Sequence, residues 1–165
     1  MSQMPVENQT LEGYEPPRVV QFNVFLANRV GKLRELADLF GPGKVCLAGM
    51  SILDTADYAV VRLVCNRAGV LRRILHEQRL PFGEEPVLVV ELGPEHTLAA
   101  LCQALVGAEL NIHYVYALMV QPHGCPAVVL HTDDPSLAGR VLRKKQFTLL
   151  GEADLSAATR SEPEG

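Results

Sequence analysis

Ala27-Asn28-Arg29-Val30-Gly31-Lys32-Leu33 decides how the chain is read, because an alternating apolar run stops there and a helical spacing begins. It is a strand-to-helix turn. A helix start leaves backbone N–H groups unpaired and carries partial positive charge, which attracts a carboxylate. Gly31 removes the side chain that would hold a ligand off the backbone, and Asn28 offers an amide to cap the helix or to accept from an ammonium group. The expected occupant is a free amino acid, whose ends carry opposite charges. The alternative is a simple connection.

Working outward, Val20, Phe22, Val24 and Leu26 are apolar and Gln21 and Asn23 polar, the period-two pattern of a strand with one buried face. After the turn, Leu33, Leu36, Ala37 and Phe40 follow helical spacing until Gly41-Pro42-Gly43 ends it. Val45 to Leu53 and Tyr58 to Cys65 read as two strands joined by Asp54-Thr55-Ala56-Asp57. A second helix follows, with Val70, Leu71, Ile74 and Leu75 on one face and Arg67, Arg72, Arg73 and Arg79 on a solvated one. Leu80 to Glu84 supplies a short fourth strand.

The pattern then starts again. Val87 to Leu92 is a strand, Leu98, Leu101, Cys102 and Leu105 a helical stripe, and Leu110 to Val120 and Ala127 to Thr132 are strands. Leu137, Ala138, Val141 and Leu142 mark the last helix, and Phe147 to Leu150 closes the second sheet. Leu33, Leu36, Ala37 and Phe40 map onto Leu98, Leu101, Cys102 and Leu105 at a constant offset of 65, and Cys46 maps onto Asn111. Leu71 and Leu75 map onto Ala138 and Leu142 at 67, the longer second hairpin taking up the difference. This is one unit copied twice, each copy a helix pair on one face of an antiparallel sheet.

These residues resemble a tandem pair of ACT domains over Val19 to Leu155. Asn28-Arg29-Val30-Gly31-Lys32-Leu33 matches the family's Asp/Asn-x-Pro-Gly-x-Leu turn, with Val30 in the proline position. Glu109-Leu110-Asn111-Ile112 matches the Gly-Ile-Asn-Ile-like lead into the second strand, and Met50 to Tyr58 and Ile112 to Ala117 look like the first hairpins of small tandem ACT proteins. The resemblance implies an α+β fold of two ferredoxin-like βαββαβ sandwiches. The divisions are a flexible arm at 1–17, copies at 18–85 and 86–155, and a disordered tail at 156–165. It also implies a regulatory module that binds an amino acid at an interface between ACT units. Asn28, Arg29, Val30, Gly31 and Leu33 would contribute, with Met50, Ser51 and Asn111 as further ligand-binding candidates.

The second copy departs from the pattern. Its turn, Gly93-Pro94-Glu95-His96-Thr97-Leu98, has His96 in place of Gly31, and Glu95 would repel a carboxylate. Pro94 and Glu95 suit a helix start, so this turn is built for stability whether or not it binds anything, and the second copy reads as a degenerate or pairing one.

The chain has 165 residues and a net charge of -4, with no Trp and 5% aromatic residues, which argues against nucleic acid as a partner. No apolar run is long enough to span a bilayer and no signal pattern opens the chain, so a cytoplasmic protein without a membrane partner is expected. Cys46, Cys65, Cys102 and Cys125 are widely spaced and read as reduced packing residues. His113, His123, Cys125 and His131 lack metal-ligand spacing, and no cofactor is implied. Tyr114 and Tyr116 share a strand face, with their polar tips expected at the surface. No nucleophile-base pair or phosphate loop is present, so an enzyme is not expected. The competing reading is a structural or dimerisation partner of a metabolic enzyme, since Val87 to Val90 and Val115 to Val120 are apolar on both faces and call for cover by another unit.

Overall fold

A computed structural model describes residues 15–156. The first copy runs β1 (Val19–Ala27), α1 (Lys32–Asp38), β2 (Leu47–Asp54), β3 (Tyr58–Cys65) and α2 (Ala68–Glu77). A single strand, β4 (Phe82–Glu91), leads into α3 (Leu98–Gly107), β5 (Ile112–Ala117), β6 (Ala127–Thr132), α4 (Pro135–Lys144), β7 (Leu149–Leu150) and a 3-10 turn, Glu152–Leu155.

The expected separate strands at Leu80 to Glu84 and Val87 to Leu92 are therefore one. Gly83 and Pro86 suggest a break, but β4 is straddled rather than interrupted. Its first half pairs with β1, Val24 opposite Phe82 and Val19 opposite Val87. Its second half pairs with β6 on one side and β7 on the other. Two sheets thus merge into one antiparallel sheet of order β2-β3-β1-β4-β6-β5, with β7 continuing the line of β1 along β4.

Each half keeps its helices on one face. Phe22, Val24, Val61 and Leu63 pack beneath Leu36 of α1 and Leu71 and Leu75 of α2. Leu88, Val90 and Leu130 pack beneath Leu101, Leu105 and Leu142. A third apolar cluster joins the helix-free faces of the two halves, with Val19, Ala48 and Val64 meeting Val87, Val89, Val129 and Leu155. The cover that the doubly apolar β4 requires is supplied by the chain itself.

Gly49 marks how closely the halves approach. A Cβ there would stand 2.9 Å from Val64 Cγ2 and 3.0 Å from Leu118 Cδ2. Beside it the N–H of Met119 donates to Ala48 O at 2.8 Å.

The duplication extends to hydrogen bonds. Cys46 N–H donates to Asn66 Oδ1 at 2.9 Å and Asn66 N–H to Cys46 O at 3.2 Å. In the second copy Asn111 N–H donates to Asp133 Oδ2 at 3.2 Å and Asp133 N–H to Asn111 O at 3.3 Å.

Several local expectations change. Phe40 lies beyond α1, and Leu33 is exposed, leaving Leu36 as that helix's buried anchor. Arg72 is not simply solvated: its Nε meets both Glu84 carboxylate oxygens at 3.1 Å. The last residues of the expected arm are packed, since Pro16 is buried where a Cβ on Gly139 of α4 would collide with its ring. Ser156, assigned to the tail, accepts from Asn66 Nδ2 at 3.2 Å. The rest of the arm and tail lies outside the described residues.

Candidate functional site

The β1–α1 turn is held from across the sheet. Asn28 Nδ2 donates to Asp54 Oδ1 at 3.0 Å and Thr55 O at 3.4 Å, so its amide ties the turn to the β2–β3 hairpin instead of capping the helix. The N–H of Arg29 donates to Ala27 O at 2.8 Å and that of Lys32 to Arg29 O at 3.3 Å. Gly31 is the N-cap residue, in the left-handed region at φ +88°, which glycine adopts without steric cost. Nothing lies within 4 Å of where its Cβ would be. With only seven residues, α1 is a weak dipole, so charge here comes from side chains.

Beside the turn lies a hollow of about 460 Å³, walled by Leu36, Leu39 and Leu80 and rimmed by Arg29, Lys32 and Glu35. Lys32 Nζ and Glu35 Oε2 are 2.9 Å apart. Of the candidate residues, Arg29 borders the hollow. Asn28, Val30, Gly31 and Leu33 form the adjoining turn, where Val30 stands fully clear of the protein and Leu33 is 40% exposed. Met50 and Ser51 lie in the middle of β2, opposite Leu63 and Arg62; Met50 packs into the first core. Asn111 leads into β5 in the other copy and does not join the turn.

Sequence reading missed a polar cluster between the two half-sheets. Gln21 is fully buried, and its Nε2 donates to Asn23 Oδ1 at 2.8 Å and to the Tyr114 hydroxyl at 2.7 Å. The Tyr114 hydroxyl donates to Glu85 Oε2 at 2.9 Å, and that of Tyr116 to Gln21 Oε1 at 2.8 Å. The tyrosine tips therefore turn inward rather than to the surface. Arg62 lies 3.7 Å above the Tyr114 ring. Burial pushes the Tyr114 hydroxyl up to about 12 and raises that of Tyr116 as well. Burial alone would raise Glu85 too, but hydrogen bonds from Asn23 and Tyr114, with His131 and Arg62 nearby, leave it lowered. The missed signal was the pairing of polar Gln21 and Asn23 with two tyrosines of matching period.

The candidate histidines part company. His113 and His131 lie with ring centroids 5.1 Å apart and planes tilted by 38°, whereas His123 bridges from Glu91 toward Asp154. Among the described residues no three His, Cys, Asp or Glu side chains are grouped to hold a metal. The four cysteines are free, and burial pushes the Cys65 thiol up to about 11.

In the second copy the helix starts at Leu98, beyond Pro94 and Glu95, and Thr97 caps it by accepting from Ala100 N–H at 3.1 Å. His96 instead donates from Nε2 to Lys145 O at 3.3 Å and packs against Phe147.

A family model of the ACT domain pair matches residues 18–159. Protein BT0572 from Bacteroides thetaiotaomicron is similar in structure, with a TM-score of 0.74 and 21% identity over 85% of this chain and 96% of that one. The ligand-free regulatory subunit of aspartate kinase from Thermus thermophilus shares the fold more loosely, with a TM-score of 0.52 and 10% identity over 79% of this chain and 93% of that one. Among curated proteins none matches the chain.

Proposed function

Since this chain belongs to the family of ACT domain pairs, spanned by the match over residues 18–159, we propose that it is a regulatory module without chemistry of its own that binds a free amino acid beneath the Asn28–Gly31 turn. The hollow there carries the reading, because it sets opposite charges on the rim of an apolar wall. On this reading Arg29 and Lys32 would meet a carboxylate, Glu35 an ammonium, and Leu36, Leu39 and Leu80 an apolar side chain, all of them bordering the hollow. The exposed Val30 and Leu33 form an edge that a second ACT unit would complete.

Calorimetry with the common amino acids tests it. One with an apolar side chain is expected to bind, and Arg29→Ala to weaken it about tenfold, the loss of one charge-assisted contact. Silence from every amino acid at millimolar concentration, or affinity indifferent to Arg29→Ala, overturns the reading.

The scaffold reading draws support from a different observation. Phe25, Leu53 and Tyr58 are exposed at the same end of the first half-sheet as Val30 and Leu33, and Phe25 packs edge-on against Tyr58 at 5.9 Å. Co-purification of a metabolic enzyme, with no response to any amino acid, would favour it.

A further inference from the structure

The offsets that relate the two copies also relate two hollows. Glu35, Leu39, Gln78 and Leu80 border the first. Their counterparts at offsets of 65 and 67, Ala100, Ala104, Lys145 and Phe147, border a second, between α3 and α4. The second is wider, about 840 Å³ against about 460 Å³. Two of the exchanges account for the direction of the change, since alanine stands where the first copy has Glu35 and Leu39. The second turn lacks the glycine, yet the cavity beside it is the larger.

Its chemistry differs as well. In the first hollow the acid Glu35 is paired with Lys32. In the second, Lys144 and Lys145 stand at the border with no ion-pair partner among the described residues, outnumbering the one acid there, Glu95. The apolar part is aromatic at its base. Phe147 is buried, and the His96 ring lies edge-on to it at 4.6 Å, anchored by its bond to Lys145 O. Ala100 and Ala104 leave the floor low enough for a ring to lie on it.

We propose that this hollow is a second binding site, distinct from the first, for an organic anion with a bulky aromatic body: an aromatic carboxylate. The lysines meet the carboxylate, and the ring enters the space left by the two alanines, against Phe147. A free amino acid with a short side chain would leave most of that volume empty.

Amide NMR on the full chain, with cinnamate as probe and cinnamylamine as its cationic counterpart, tests this. Cinnamate is expected to shift the amides of Ala104, Ala108 and Lys144 to Phe147, and cinnamylamine to leave them in place. Ala100→Glu with Ala104→Leu, which restores the first copy's side chains, is expected to weaken cinnamate about tenfold or more. Lys144→Gln with Lys145→Gln, at two exposed positions that the core does not need, is expected to weaken it severalfold with the fold intact. Equal shifts by both probes, affinity unchanged in either double variant, or no shift at millimolar cinnamate overturns the site. Amides near Arg29 report on the first hollow and those near Lys145 on the second, so each fails or stands alone.

Discussion

Gln21 shows what a single position can settle. Period-two alternation says which residues share a face, but not whether the far face meets water or protein. Gln21 and Asn23 read as solvent-facing, and Asn23 stays partly so, whereas Gln21 is sealed under two tyrosines from the other copy. A buried amide left unpaired costs about 1–3 kcal/mol, so its bonds fix how the halves meet. His131 sits in the same cluster, and burial, helped by His113 and Arg62 and opposed by Glu85 and Asp133, holds its pKa below the usual 6.5. The unfolded chain therefore takes up a proton at this histidine before the folded one does. Stability is fully present above pH 6.5 and falls as the pH drops below it toward the folded value. Thermal unfolding followed from neutral to mildly acidic pH should show a falling midpoint, flattened in His131→Gln. Glu85, whose pKa is lowered, works in a separate window, losing its contribution only as the pH falls below its unfolded value near 4.5.

At the scale of elements, three of the four α-helices among the described residues are capped by a side chain, and one of the caps comes from far along the chain. Thr97 and Asp134 cap α3 and α4 from the adjacent position. Arg67 offers α2 no side-chain cap; Glu152, from the 3-10 turn after β7, accepts from the N–H of Ala68 instead. Glu152→Ala is expected to lower stability by about 0.5–2 kcal/mol, comparable to Asp134→Ala, as read from the denaturant midpoint. No local pattern announces such a cap. What the sequence does announce is bounded alternation: β3 and β6 run from Tyr58 to Cys65 and from Ala127 to Thr132 as read, because polar turns or loops delimit both. The fusion in β4 was hidden by Gly83 and Pro86, which local rules treat as punctuation. Around the candidate turn, the glycine and the switch from strand to helix were legible, but the exposure of Leu33 was not, and the walls of the hollow come from Leu39 and Leu80, residues that a turn motif does not contain.

At the scale of the molecule, the copies cannot be separated cleanly. The repeat was visible by subtraction, whereas the third apolar cluster depends on two sheet faces that only folding brings together. A fragment ending at Pro86 keeps the β4 segment that pairs with most of β1 but exposes Val19, Ala48 and Val64, three apolar residues buried in the whole chain. It is expected to lack a cooperative thermal transition by circular dichroism, whereas the full chain shows one.

The strand from Phe82 to Glu91 begins one residue after Pro81, which borders the first hollow, and its far half underlies the helices that frame the second. Both halves hang on this one axle. β1 pairs with its first part and β6 and β7 with its second, so fraying this one strand would strip both halves of a sheet neighbour at once.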